Sequence, residues 1–429
     1  MNFIKWLFVL ILPLLYHEYL FAQKQSLQLS PAIKAEIVDS ISSQLIKNYV
    51  SLDTAVSFGN HIKARLKSGA YNAINNAADF ADALTFDMWK VNRDLHLQIH
   101  YDPAPPLSYL QGMTKKINEA KQCNNGFAKV EHLDGNIGYI QMTGFSDLND
   151  QAKEVVDGAF SFLKNSDALI IDLRTSGGGQ PEMVKYISSY FFKEKSHIED
   201  HYFRRRNETI QLWTTPHPNS VVFADMPLYI LVSPVTFSAA EELSYDLQSQ
   251  HRAIIVGQAT GGGAHGCTDA PIKYGFTVQM PEGKSINPIT KTNWEKVGVQ
   301  PNIKINADSA LNAAMLDFYK RQPPTIKDSL IAMANFRRTI SNSKLHPYPM
   351  GLSMLKAFVG NYKERRITLE NGRLYFNTPN TYRTNLTPFS STSFILDERL
   401  MEFHKDAKGN INEMRIIYAN GRVEKFYKK

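Results

Sequence analysis

Pro227-Leu-Tyr-Ile-Leu-Val-Ser-Pro-Val-Thr-Phe-Ser-Ala-Ala-Glu-Glu242 is the stretch from which the rest of this chain is read. Leu228 to Val232 is a nearly unbroken apolar run, too short for a helix and of the right length for a strand buried on both faces. A helix is expected after it: Ala240, Leu243 and Leu247 recur at spacings of three and four, Glu241 and Glu242 occupy its first turn, and Pro234 separates the two patterns. Ser238 then stands where a buried strand hands over to a helix N-terminus, among backbone N–H groups that have no intrahelical partner. That place suits a nucleophile. Ser238-x-x-Glu241 also matches a capping box, so on this stretch alone capping and catalysis are both open.

At 429 residues the chain exceeds one ordinary domain, and two or three are expected. The formal charge of +7 is mild. No run of Lys or Arg forms a nucleic-acid stripe, and the densest cluster, Arg204 to Arg206, reads as a solvated loop, so nucleic acid is not an expected partner. Lys5, the apolar run Trp6 to Tyr16 and Leu20-Phe21-Ala22 read as a leader over residues 1–22, which would send the chain to a periplasm or outside the cell. The run is short for a bilayer span, and no later stretch is apolar enough to be one. Cys123 and Cys267 are the only cysteines, so at most one disulfide could form, and no metal-binding motif is legible.

Residues 30 to about 90 carry helical patterning, with Ile33, Ile37, Ile41 and Ile46 as one apolar stripe, and residues 23–92 read as a helical subdomain. Near Leu95 the period becomes two: Leu95, Leu97 and Ile99 alternate with His96, Gln98 and His100, which predicts a strand with imidazoles on its polar face. Between residues 93 and 310 strands and helices alternate. Ile137 to Met142, Ala168 to Leu173, Leu228 to Val232 and Ala253 to Val256 read as strands, with helices at Ala152 to Leu163 and from Pro181 to Phe192. Such alternation predicts an α/β fold with a largely parallel sheet. Residues 311–350 read as a helical linker. From residue 351 to 429 short alternating segments are separated by Asn371-Gly372, Lys408-Gly409 and Asn420-Gly421, which favour hairpins and predict an antiparallel β barrel or sandwich.

Gly177 to Gly179 follow the strand ending near Leu173, and Thr260-Gly-Gly-Gly-Ala-His265 follows the strand ending near Val256. Glycines there permit tight turns, and a glycine amide at a helix N-terminus can also donate to an oxyanion. Neither Gly-x-Gly-x-x-Gly nor Gly-Lys-Ser/Thr occurs, which disfavours a phosphate cradle. Ile137-Gly-Tyr-Ile with Phe145, Asp172-Leu-Arg-Thr-Ser-Gly-Gly-Gly179, Thr236-Phe-Ser-Ala-Ala-Glu-Glu242, Gly257-Gln-Ala-Thr-Gly-Gly-Gly263 and Gly298-Val-Gln-Pro301, in this order, resemble the core motifs of the tail-specific, or C-terminal-processing, serine peptidases. The likeness covers about residues 90 to 305. It is nearest the branch that includes interphotoreceptor retinoid-binding protein and tricorn protease, and it implies a crotonase-like (ClpP-like) α/β core.

Carried over by position, the resemblance makes Ser238 the nucleophile and the amides of Gly178, with Gly177 as the near alternative, and Ala239 the oxyanion hole. The Ser-Lys members keep a lysine where this chain has Gly263; here it is absent. The tricorn-like branch takes its base from an upstream histidine and supports it with a glutamate before Gly-Val-x-Pro, which correspond to His96 and Glu295. Imidazole is suited to neutral conditions. His100 and His265 are alternatives for the base, Glu241 and Glu242 suit the helix N-terminus, and Arg174 suits an ion pair at the sheet end. A PDZ insertion has no room between Pro106 and Phe127. The expectation is thus an exported serine peptidase acting on peptides or unfolded protein through Ser238, His96 and Glu295, without a cofactor. The alternative is a binder of an apolar ligand on the same scaffold.

Overall fold

The computed structural model describes residues 27–104, 109–217, 220–322, 347–379 and 383–429, with scattered positions between 332 and 343. The leader expected at 1–22 and about half of the expected linker lie outside the described residues, and the linker's first part is helical over Ala310–Lys320. The chain divides into two compact units, one of residues up to His132 with Gly138–Ala310, the other of Leu133–Ile137 with Leu311–Lys429.

The first unit opens with three helices, α1 (Pro31–Asn48), α2 (Leu52–Lys67) and α3 (Ala77–Val91). Ser30 accepts the Ile33 N–H to start α1, and Asn76 accepts from Ala78 and Asp79 to start α3. The buried stripe of α1 is Ile37, Val38, Ile41 and Leu45, whereas Ile46 is exposed. The step from Ile41 to Ile46 is five residues, which turns Ile46 off the face that a spacing of four holds. These helices share a core with Ile99, Phe276, Val278 and Met280 of an antiparallel sheet.

That sheet runs β1 (Gln98–Tyr101), β10 (Phe276–Ile286), β5 (His197–Phe203), β6 (Glu208–Trp213), with β9 (His265–Pro271) also on β10. The strand predicted from Leu95 begins only at Gln98. Asp94 is the reason: its carboxylate accepts the His96 N–H at 3.1 Å and its carbonyl the Leu97 N–H at 3.2 Å, which folds Leu95 and His96 into a turn. Arg204 is no solvated residue either. Its guanidinium binds the carbonyls of Ile46, Lys47 and Tyr49 and closes the C-terminal end of α1.

The second sheet of this unit runs β11 (Ile303–Lys304), β8 (Ile254–Gly257), β7 (Leu228–Val232), β4 (Ala168–Asp172), β3 (Ile137–Met142), β2 (Phe127–Leu133). β4, β7, β8 and β11 pair in parallel. Every residue of β4 and β7 is buried, because helices cover the sheet: α5 (Asp150–Leu163), α6 (Pro181–Ser188) and α8 (Ala239–Ser249) send Val156, Phe160, Ile187, Leu243 and Leu247 into one core with them. Each such buried side chain contributes roughly 1.5–3 kcal/mol. A further helix, α4 (Tyr109–Gln122), precedes β2. The fold is therefore one of mixed helices and sheets.

In the second unit Leu355, Phe358, Phe394 and Phe403 lie in a core of their own. Its strands form two antiparallel sheets, one of four strands between Gly360 and Asn385 and one of five between Thr387 and Tyr427. Asn371 with φ 49° and Gly372 with φ 76° make the turn between two of these strands, as the hairpin dipeptide predicts.

Candidate active site

Parallel strands deliver their following loops to one end of a sheet, and here those loops carry the chemistry. Ser238 leads into α8 with φ 55° and ψ −124°, a conformation that non-glycine residues rarely adopt and that the surrounding hydrogen bonds must hold. Its N–H donates to Glu241 Oε2 at 2.9 Å, the glutamate half of a capping box.

Glu241 does more than cap. Fully buried, it also accepts from Gly262 N–H at 2.7 Å, Gly263 N–H at 2.8 Å and the Thr260 hydroxyl. One carboxyl group thus joins the serine turn to the second glycine loop. Burial pushes it up to about 7, against the pull of those hydrogen bonds.

The first glycine loop meets the serine turn directly. Gly178 has φ 97°, and a Cβ there would lie 2.7 Å from both the Ser238 Cβ and the Phe237 carbonyl oxygen and 2.9 Å from the Ala239 nitrogen. No side chain fits. Space beside Gly177 is open, so Gly178 is the glycine packed on Ser238. Among the described residues, neither the Gly178 nor the Ala239 N–H has a hydrogen-bond acceptor. Two unpaired donors beside a hydroxyl are what a developing oxyanion requires.

His96 reaches the same place from the turn before β1. Its ring stands 4.5 Å, centroid to centroid, from that of Phe237, the residue before Ser238. Both rings press on the second glycine loop: a Cβ at Gly263 would lie 2.3 Å from Phe237 Cζ and 2.6 Å from His96 Cε1. His96 is buried, its Nδ1 has no hydrogen-bond partner, and burial pushes the imidazole down to about 4. It is therefore neutral near neutral pH and able to accept a proton.

Glu295 stands beside a different imidazole. Its Oε2 accepts the Ala264 N–H at 2.8 Å and lies 3.8 Å from His265 Nδ1, while its Oε1 is buried without a partner. Among the described residues no ion pair joins Glu295 to His96. His265 is in turn fixed by Asp94, whose Oδ2 is 2.7 Å from its Nδ1 and also accepts the Tyr49 hydroxyl at 2.8 Å. The pull of Asp94 outweighs burial and raises His265 above its ordinary value. Asp94 is the residue that sequence reasoning passed over, and Glu241, read there as a helix cap, also ties down the second glycine loop. The only signal for Asp94 was its place two residues before His96.

Ser238, Ala239, His96 and His265 line one cavity of about 710 Å³. His100 is exposed and faces elsewhere. Arg174 makes the expected sheet-end pair, with its Nη2 2.6 Å from Asp172 Oδ2. Cys123 and Cys267 are both free thiols.

Residues 136–305 match the model of peptidase family S41, and residues 20–125 match the model of the N-terminal domain of Peptidase_S41 in eukaryotic IRBP. The chain thus carries a peptidase family S41 domain. The chain is 30% identical over 169 residues to carboxyl-terminal-processing peptidase 2, chloroplastic, of Arabidopsis thaliana, covering 39% of this chain and 31% of that protein. It is 32% identical over 127 residues to the carboxyl-terminal-processing protease of Synechocystis, covering 29% of this chain and 28% of that one. The chain thus spans under a third of the length of the curated relatives it matches. Among solved structures, the photosystem II D1 C-terminal processing protease aligns with a TM-score of 0.40 at 16% identity, over 64% of this chain and 94% of that one. Tricorn protease aligns with a TM-score of 0.41 at 12% identity, over 71% of this chain and 37% of that one.

Proposed function

We propose that this S41 chain is a serine peptidase hydrolysing peptide bonds in peptides or unfolded protein. Ser238 Oγ attacks the carbonyl carbon while His96 takes its proton. The carbonyl oxygen gains charge against the Gly178 and Ala239 N–H groups. Collapse breaks the C–N bond, and the leaving amine takes the proton from His96. Water, deprotonated by the same imidazole, then releases the acyl group and regenerates the hydroxyl. Glu295 is the acid of the set: its orphaned Oε1 and the orphaned Nδ1 of His96 complement one another as acceptor and donor, and their pairing would orient the ring during turnover.

The observation that carries this reading is the crowding at Gly263. A side chain where Ser-Lys members keep a lysine would meet His96 and Phe237, which supports an imidazole rather than an amine as the base. The parallel strands with helices after them support a crotonase-like core. The turn of composition at 1–22 supports export, and the hairpins after residue 351 a separate β module.

The test is a fluorophosphonate probe together with hydrolysis of an unfolded protein. Labelling confined to Ser238, and loss of both labelling and hydrolysis in Ser238→Ala with unchanged circular dichroism, is the expected result. Equal hydrolysis by variant and parent would overturn the assignment. Saturable binding of an apolar ligand without labelling would favour a non-catalytic carrier.

A further inference from the structure

The geometry points to a divalent-cation site of zinc's chemistry formed by Asp94, His265 and Glu295 at the edge of the Ser238 cavity. One ligand atom from each lies within 4.8 Å of the others. They come from three separate segments, the turn before β1, the start of β9 and the loop after β10, so no short motif announces them. Tetrahedral zinc with bonds of about 2.0–2.2 Å sets its ligand atoms about 3.3 Å apart. The His265 Nδ1 distances of 2.7 Å to Asp94 Oδ2 and 3.8 Å to Glu295 Oε2 bracket that spacing.

Charge and satisfaction argue the same way. Asp94 is fully buried and Glu295 partly so around one imidazole, and among the described residues neither has a Lys or Arg partner within 4 Å. An excess negative charge in such a place calls for a cation or a proton. Glu295 Oε1, buried and unpartnered, is a spare ligand atom. An outer layer already orients the donors: the Tyr49 hydroxyl on Asp94, the Ala264 N–H on Glu295, and Asn293 Oδ1 accepting the Glu295 N–H at 3.0 Å. Three protein ligands, one of them imidazole, suit zinc better than calcium or magnesium, which take more oxygens or keep several waters. His265 lines the cavity, so a fourth position would face substrate. On the peptidase reading, zinc there would hold Glu295 away from His96 and inhibit hydrolysis.

Calorimetric titration of zinc into the full chain carrying Ser238→Ala tests the site independently of hydrolysis. One zinc per chain is expected, weakened at least ten-fold by His265→Gln and by Glu295→Gln, each checked by circular dichroism, and unaltered by Cys267→Ser or His201→Gln. No uptake, which would assign a proton to the carboxylates instead, overturns the proposal. So does uptake that survives both ligand variants, or that disappears with Cys267. In the parent, hydrolysis should fall as zinc fills the site and return with chelator; turnover unchanged at saturation would overturn the inhibitory role.

Discussion

At Gly263 a single methyl group has nowhere to go, since it would press on the rings of His96 and Phe237 at once. Gly263→Ala should therefore displace the imidazole from the serine turn. Overpacking of this kind costs about 1–3 kcal/mol, and a misplaced base lowers turnover by on the order of 10². A fall in kcat larger than the accompanying loss of stability would show it; a variant with parental kcat would mean that the ring does not depend on this gap. Glu241 has the opposite character, a side chain whose removal leaves others stranded. Glu241→Ala strips acceptors from the Ser238, Gly262 and Gly263 N–H groups, each buried orphan costing roughly 1–3 kcal/mol. Chemical denaturation should report a loss of at least about 2 kcal/mol. Glu241→Gln, which keeps one acceptor oxygen, should recover part of it.

At the scale of elements, α8 is tied to both of its neighbours by acids. Glu241 binds the glycine loop, while Glu242 and Asp246, one and two turns beyond Ser238, face β5. There Glu242 Oε1 lies 3.7 Å from His201 Nε2, and Asp246 Oδ1 accepts from Asn287 Nδ2 at 3.1 Å. Glu199 of β5 and Asp246 are both buried, and Glu199 Oε2 and Asp246 Oδ2 have no hydrogen-bond partner, which disfavours a charge on either. Burial pushes Glu199 up to about 8 and Asp246 well above the ordinary range. The folded chain therefore holds protons that the unfolded chain releases near pH 4, and stability falls as pH rises from there to about 8. Glu199→Gln removes the group that must ionise. Between pH 5 and pH 9 the melting temperature of the parent should drop further than that of the variant, by roughly 4 °C or more. Parallel curves would dismiss the buried pair as the source.

At the scale of the molecule, the buried apolar side chains of the described residues fall into separate cores, two in the first unit and one in the second. Units that each bury their own core need not melt together. Scanning calorimetry should give a calorimetric enthalpy above the van't Hoff value. Phe403→Ala, which empties a ring from the second core at a cost of about 3–5 kcal/mol, should lower one transition only. A single two-state transition in the parent would contradict this.

The sequence by itself determined the local elements on either side of the serine turn. An apolar run of five residues bounded by turn residues reads as a buried strand, and a spacing of three and four buries one helix face. Hence β4, β7, α5 and α8 were legible, as were Ser238, Ala239 and the two glycine loops. Only the tertiary structure decided what meets across the chain. The alternation at Leu95 to His100 looked like a strand until the Asp94 carboxylate folded its first half into a turn, and Glu295 came to rest on His265 through an Asp94 that lies 171 residues from that histidine. Periodicity reports the burial of a side chain against its own backbone; which carboxylate stands beside which imidazole depends on how distant loops converge, and no local pattern encodes that distance.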